Sequence, residues 1–192
     1  MAFSEYTSDV FRQIHAAENE RHERLNAQLT LPTAIVTVLC GLLSFYLDKY
    51  PAESSDGYVI WFGVCLLALF VSVGCAIVCL ILAMYSYTYR YTSHPRDVES
   101  YMRGMEAWYI AIGVEAKEIP EKIESDMREL MTEQYMECAA TNRKLNSEKA
   151  KFLHFAKLGI VIALVSVAVS IYPFHMGVKG VEKIHKVQLV KE

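Results

Sequence analysis

No charged residue lies between Gly57 and Arg90. A run of that length in a 192-residue chain leaves few options, because a water-exposed helix needs a polar face and this one has none. Two further runs are also uncharged, Leu31–Leu47 and Leu158–Phe174. A bilayer core about 30 Å thick takes about 20 apolar residues in a helix, with a usual range of about 17–25. The run Tyr58–Tyr89 exceeds that and the other two sit near its lower end. The chain is 53% hydrophobic, and these residues are gathered into blocks instead of being spread at the spacing of a soluble core. The fold class expected is therefore an all-α integral membrane protein with three transmembrane helices.

The connections set a topology. Between the first two blocks, "DKYPAESSDG" holds Pro51 and Gly57 and is net negative, with Tyr46, Tyr50, Tyr58 and Trp61 at its edges. It reads as the non-cytoplasmic turn of a helical hairpin whose aromatic rings meet the headgroups. Arg12, Arg21 and Arg24 precede the hairpin, and Arg90, Arg96 and Arg103 follow it. The positive-inside rule places both of those ends, and so the N-terminus, in the cytoplasm. Glu5, Asp9, Arg12, Glu18, Glu20 and Arg21 make the opening stretch unlike a signal peptide, so the first block is expected to remain in the membrane. The domains expected are a cytoplasmic amphipathic helix over 1–29, a transmembrane hairpin over 30–90, and a cytoplasmic helical region over 91–157. A third span over 158–175 and a basic C-terminal tail over 176–192 complete the chain. Pro95 is expected to end the helix leaving the bilayer.

The third span has an unusual approach. From Glu121 to Ile171 there is no Pro, and Gly159 is the sole Gly. An apolar seam through Ile123, Met127, Leu130, Met131, Tyr135, Cys138 and Leu145 leads into the block. A long C-terminal helix, continuous from the cytoplasm into the third span, is expected, unless Pro173 bends or breaks the block. On this reading the switch from the charged segment Arg143–Lys157 to an uncharged one marks the membrane surface.

Catalytic and metal-binding patterns are missing from the sequence. The six histidines form no HExxH or similar ligand pair, and the five cysteines include no Cys-x-x-Cys. No Gly-rich phosphate loop or nucleophile elbow occurs. The expectation is a protein that is not an enzyme, with no cofactor, no catalytic residue and no metal site. The spans do carry small residues at four-residue spacing, which allow helices to approach closely in lipid. The block-one stripe is Thr30, Thr33, Thr37, Gly41 and Ser44; the block-three stripe is Gly159, Ala163, Ser166 and Ser170. A hydroxyl-bearing face of this kind can also line a pore, so Ser166, Ser170, Ala163 and Thr37 are the pore-lining candidates. Five bases stand against one acid between Arg143 and Lys157. That zone reads as a headgroup anchor, or as a ring of Arg143, Lys144, Lys149 and Lys151 that binds an anionic ligand in a homo-oligomer.

In layout, with a cytoplasmic helix, a membrane hairpin and a following cytoplasmic helix, the chain resembles small bacterial defence effectors of the SLATT type. Through "ECAATNRKLNSEKAKFLHFAKLGIVIALV" it is more similar to the channel effector of Hailong-type anti-phage systems. The resemblance implies a homo-oligomeric channel of the bacterial inner membrane that breaches it during abortive infection. It also implies an oligonucleotide-type regulator made by a partner nucleotidyltransferase. The function expected is thus a homo-oligomeric channel, with a tetramer favoured, held in the lipid bilayer and gated through its cytoplasmic helices. The alternative is a non-conducting membrane scaffold that recruits a soluble partner.

Overall fold

The structure is a computed structural model describing residues 2–49, 57–85 and 87–189, with side chains over 7–49, 57–85 and 87–177. The hairpin turn at Pro51–Gly57 therefore lies outside the described residues except for Gly57, as do the side chains of the tail lysines Lys179, Lys183, Lys186 and Lys191. Among the described residues, five α-helices follow in order: α1 Ala2–Ala27, α2 Thr30–Asp48, α3 Gly57–Met84, α4 Pro95–Ala111 and α5 Ile119–Leu189. There is no strand among the described residues. Among the described residues, three segments are long and apolar enough to cross a membrane: Thr7–Asp48, Gly57–Met84 and Ile119–Gly177. This is an all-α, multi-pass membrane protein.

The α1–α2 break has a local cause. Pro32 has no N–H to give to the carbonyl of Gln28, and its ring crowds that carbonyl, so the helix is interrupted at Gln28–Leu29. Pro173, by contrast, sits inside α5 without ending it. The third span is therefore not broken there, and 176–189 continues the helix instead of forming a separate tail.

The chain divides into two compact units, Met1–Leu25 with Ser86–Glu148, and Asn26–Tyr85 with Lys149–Glu192. The second is the membrane unit. Along α3, Phe62, Leu69, Ala76 and Ala83 are buried at helical spacing, while Val64, Leu67, Phe70, Val71 and Val78 are exposed. An apolar outer face around an equally apolar inner one suits lipid and not water. Gly159 of α5 lies against α3 so closely that a Cβ there would be 3.1 Å from the Ser72 carbonyl oxygen and 3.3 Å from the Ala76 Cβ. Tyr46, Phe62 and Phe174 close one end, with ring centroids 5.2–5.4 Å apart.

In the first unit, α4 is delimited by local signals. His94 is its N-cap, accepting from the Arg96 N–H at 3.3 Å, and Pro95 takes the first turn. Gly113, at φ +80°, closes it: the Val114 N–H reaches the Tyr109 carbonyl and the Gly113 N–H the Ile110 carbonyl, both at 3.1 Å. The expectation for Pro95 is corrected here. It starts α4, whereas the helix out of the membrane unit stops at Met84 and residues 87–94 are not helical. The hairpin accordingly ends short of residue 90.

Candidate functional site

The most organised polar arrangement is in the first unit and is centred on residues 87–94. A non-helical backbone leaves its N–H and C=O groups needing partners. Here α5 supplies them from side chains. Asn142 and Asn146 are one helical turn apart on α5 and both are fully buried. Asn142 accepts from the Arg90 N–H at 3.0 Å and donates to the Arg90 carbonyl at 2.9 Å, so one amide pairs with both backbone groups of one residue, as a neighbouring strand would. It also donates to Asn19 Oδ1 at 3.4 Å. Asn146 accepts from the Tyr89 hydroxyl at 2.8 Å, and donates to the Glu18 carbonyl at 2.8 Å and carboxylate at 3.0 Å. Gln134 accepts from the Ser93 N–H at 3.2 Å, and Glu137 pairs with the Arg90 guanidinium.

The α1 side of this core is aromatic and imidazole. The His22 ring stacks on Tyr89 at 3.8 Å, and His15 packs 5.7 Å from Tyr135 while contacting the Asn19 amide at 3.2 Å. Burial, followed by the neighbouring Tyr87 and Tyr91, pushes the Tyr89 hydroxyl above the usual tyrosine range, so it stays a donor to Asn146. Three segments, α1, 87–94 and α5, thus meet through donors and acceptors whose positions are mutually fixed. Sequence reasoning missed Asn142 and Asn146. The available signal was their register: they continue the seam of Cys138 at four-residue spacing, where a helix of this amphipathic pattern ordinarily carries apolar residues.

The expected site residues are divided by the structure. Arg143 and Lys144 are exposed in the first unit, and Lys151 is exposed in the second. Lys149 differs from them: it is only 4% exposed and its ammonium donates to Asn26 Oδ1. It follows Asn142 and Asn146 on the buried stripe of α5, so its charge is turned inward and is not presented to a surface anion.

The pore-lining set also divides. Ala163 and Ser170 are buried within the membrane unit, with Gly159, where a small stripe permits close packing of α5 within one protomer. Neither is on an exposed face of the protomer. Ser166 is half-buried and Thr37 is exposed. Each hydroxyl donates within its own helix: Thr37 to the Thr33 carbonyl at 3.0 Å, Ser166 to Ile162 at 2.9 Å and Ser170 to Val167 at 2.7 Å. Thr33, Thr37, Gly41 and Ser44 of α2 all stay on an exposed face, and a Cβ at Gly41 would meet nothing within 4 Å.

Among the described residues no group of three His, Cys, Asp or Glu side chains could hold a metal ion. The cysteines are unpaired thiols, with Cys65 and Cys138 buried. No protein-family model matches the chain, and no curated protein or solved structure does either.

Proposed function

We propose that the chain is the subunit of a homo-oligomeric membrane channel whose first unit is regulatory. The observation that carries this reading is the α2 face of Thr33, Thr37, Gly41 and Ser44. It is small and hydroxyl-bearing, and it is left over once the protomer has packed its own helices. The corresponding stripe of α5 is used up inside the protomer. Small faces favour close association of helices in lipid, where apolar residues alone gain little from pairing. Three spans cannot enclose a pore alone, so copies gathered around the α2 face, in a tetramer on the favoured count, would put Thr37 beside the axis. Arg143, Lys144 and Lys151 remain the surface bases for an anionic regulator. The layout likeness to Hailong-type effectors is the sole support for a role in anti-phage defence at the bacterial inner membrane.

A second reading, a non-conducting scaffold, is favoured by one observation. The span hydroxyls are already satisfied by their own helix carbonyls and need no water. Planar-bilayer recording separates the two. A channel gives reproducible unitary currents, and a cysteine at Thr37, in a background without native cysteines, makes them sensitive to a water-soluble thiol reagent. Silent bilayers with correctly inserted protein would leave the scaffold.

A further inference from the structure

The first unit contains a second feature, unrelated to its polar core. Asp97, Tyr101, Gly104 and Trp108 recur at intervals of four, three and four residues, which puts them on one face of α4. They line a cavity of about 640 Å³ together with Asp126 of α5. None of its lining residues is basic. Trp108 and Tyr101 are 56% and 51% exposed and so are accessible to a ligand. Gly104 lies between them. A mid-helix glycine destabilises relative to alanine, and packing does not require one here, because a Cβ at Gly104 would meet nothing within 4 Å.

The spacing gives the notch a size. Tyr101 and Trp108 are two turns apart, about 10.5 Å along the helix, with Gly104 close to midway. Gly104 is then about 4.5 Å from Tyr101 and about 6 Å from Trp108 along that axis, so a group seated over it lies between the two aromatic residues. The carboxylates give the sign of the charge. Asp97 stands one turn beyond Tyr101, and Asp126 is fixed by the Tyr109 hydroxyl, which donates to it at 2.5 Å. Two aromatic residues on either side of a glycine, with two carboxylates and no base in the lining, suit a positive charge and not an anion.

We propose that this notch binds a compact organic cation, an alkylammonium or guanidinium group, between Tyr101 and Trp108 over Gly104. The inference does not rest on the channel reading, since nothing in it concerns conduction. The same chemistry could come from a free methylated ammonium compound or from a basic side chain on a partner, and the probes distinguish these.

The test uses full-length protein in a maltoside detergent, which brings no ammonium headgroup, with Trp61→Phe so that Trp108 is the remaining tryptophan. Tetramethylammonium chloride and N-acetyl-arginine amide are titrated against Trp108 emission, with sodium chloride as the control. The expected result is a saturable change with a Kd of roughly 1–30 mM, the scale of two exposed cation–π contacts and nearby charge. Tighter binding of tetramethylammonium assigns a methylated ammonium ligand; tighter binding of the arginine amide assigns a partner's basic side chain. Gly104→Leu fills the notch and should abolish the response at unchanged helicity, and Asp126→Asn should weaken it about five-fold or more. A response no larger than that to sodium chloride overturns the proposal. So does a normally helical Gly104→Leu protein that binds as the parent does.

Discussion

Replacing Asn142 by Leu tests whether α5 side chains hold residues 87–94 in place. The side chains are similar in size, so little volume is lost, but three hydrogen bonds go: those with the Arg90 N–H, the Arg90 carbonyl and Asn19. At about 0.5–1.5 kcal/mol net each, the loss sums to about 1.5–4.5 kcal/mol. The upper part applies only if water cannot replace Asn142, and the Arg90 residue is itself exposed, so the lower half is expected. Since about 1.4 kcal/mol is a factor of ten, hydrogen exchange of the Arg90 amide should speed up roughly ten- to one-hundred-fold. Exchange measured by mass spectrometry on peptides covering Tyr87–His94 reads this directly. Peptides around Leu69 in the membrane unit provide the reference and should be unaffected. Asn142→Asp sharpens the test, because it keeps an acceptor for the Arg90 N–H but sets a carboxylate against the Arg90 carbonyl. It should exchange faster than the Leu variant at neutral pH. If Asn142→Leu leaves exchange over 87–94 within about three-fold of the parent, the side-chain anchoring of this segment is wrong.

Three other outcomes follow from specific contacts. Gly159→Val should destabilise the membrane unit by about 1–3 kcal/mol, because its added atoms meet the Ser72 carbonyl and Ala76; an unchanged melting temperature in detergent would contradict the close approach. Arg143→Glu with Lys144→Glu should shift stability by no more than about 0.5 kcal/mol, both side chains being exposed, whereas Lys149→Glu, at a buried position, should lower it by about 2 kcal/mol or more in the same thermal assay. Tyr89→Phe removes the bond to Asn146 and should cost about 1 kcal/mol, with exchange at Tyr89 rising by about five-fold.

The spans were legible because absence of charge over a bilayer's thickness is a signal contained within each segment. The long helix was legible for the same local reason, the lack of Pro and near-lack of Gly from Glu121 to Ile171. The end of α3 was not. Aromatic and Thr residues continue through Tyr87, Tyr89 and Thr92, and nothing local distinguishes an apolar helix end from an extended segment. The bonds that hold the non-helical segment come from Gln134 and Asn142, more than forty residues along the chain. The small-residue stripes were visible, but not which way they point. Gly159 and Ala163 face a helix of their own protomer while Thr37 faces out, and a small residue has the same spacing in either case.

The buried stripe of α5 changes character along its length, and the change follows what it packs against. Leu153, Ala156, Ile160 and Ala163 meet other apolar helices, whose backbone groups are satisfied internally. In lipid, leucine-like residues gain nothing by leaving a solvent as apolar as themselves, so close approach at Gly159 carries that seam. Asn142 instead meets the backbone of a non-helical segment, pairing with the Arg90 N–H and carbonyl, and Asn146 meets the Tyr89 hydroxyl of that segment and Glu18 of α1. Apolar residues there would take the side-chain partner from the Arg90 N–H and carbonyl, at about 0.5–1.5 kcal/mol net for each bond lost at this exposed residue. Asparagine is the short side chain that offers a donor and an acceptor together, so it can match both groups of one residue from a helix. It is also a poor helix former; Asn142 is accounted for by the non-helical segment it holds, and Asn146 by its bonds to the Tyr89 hydroxyl and to Glu18 of α1.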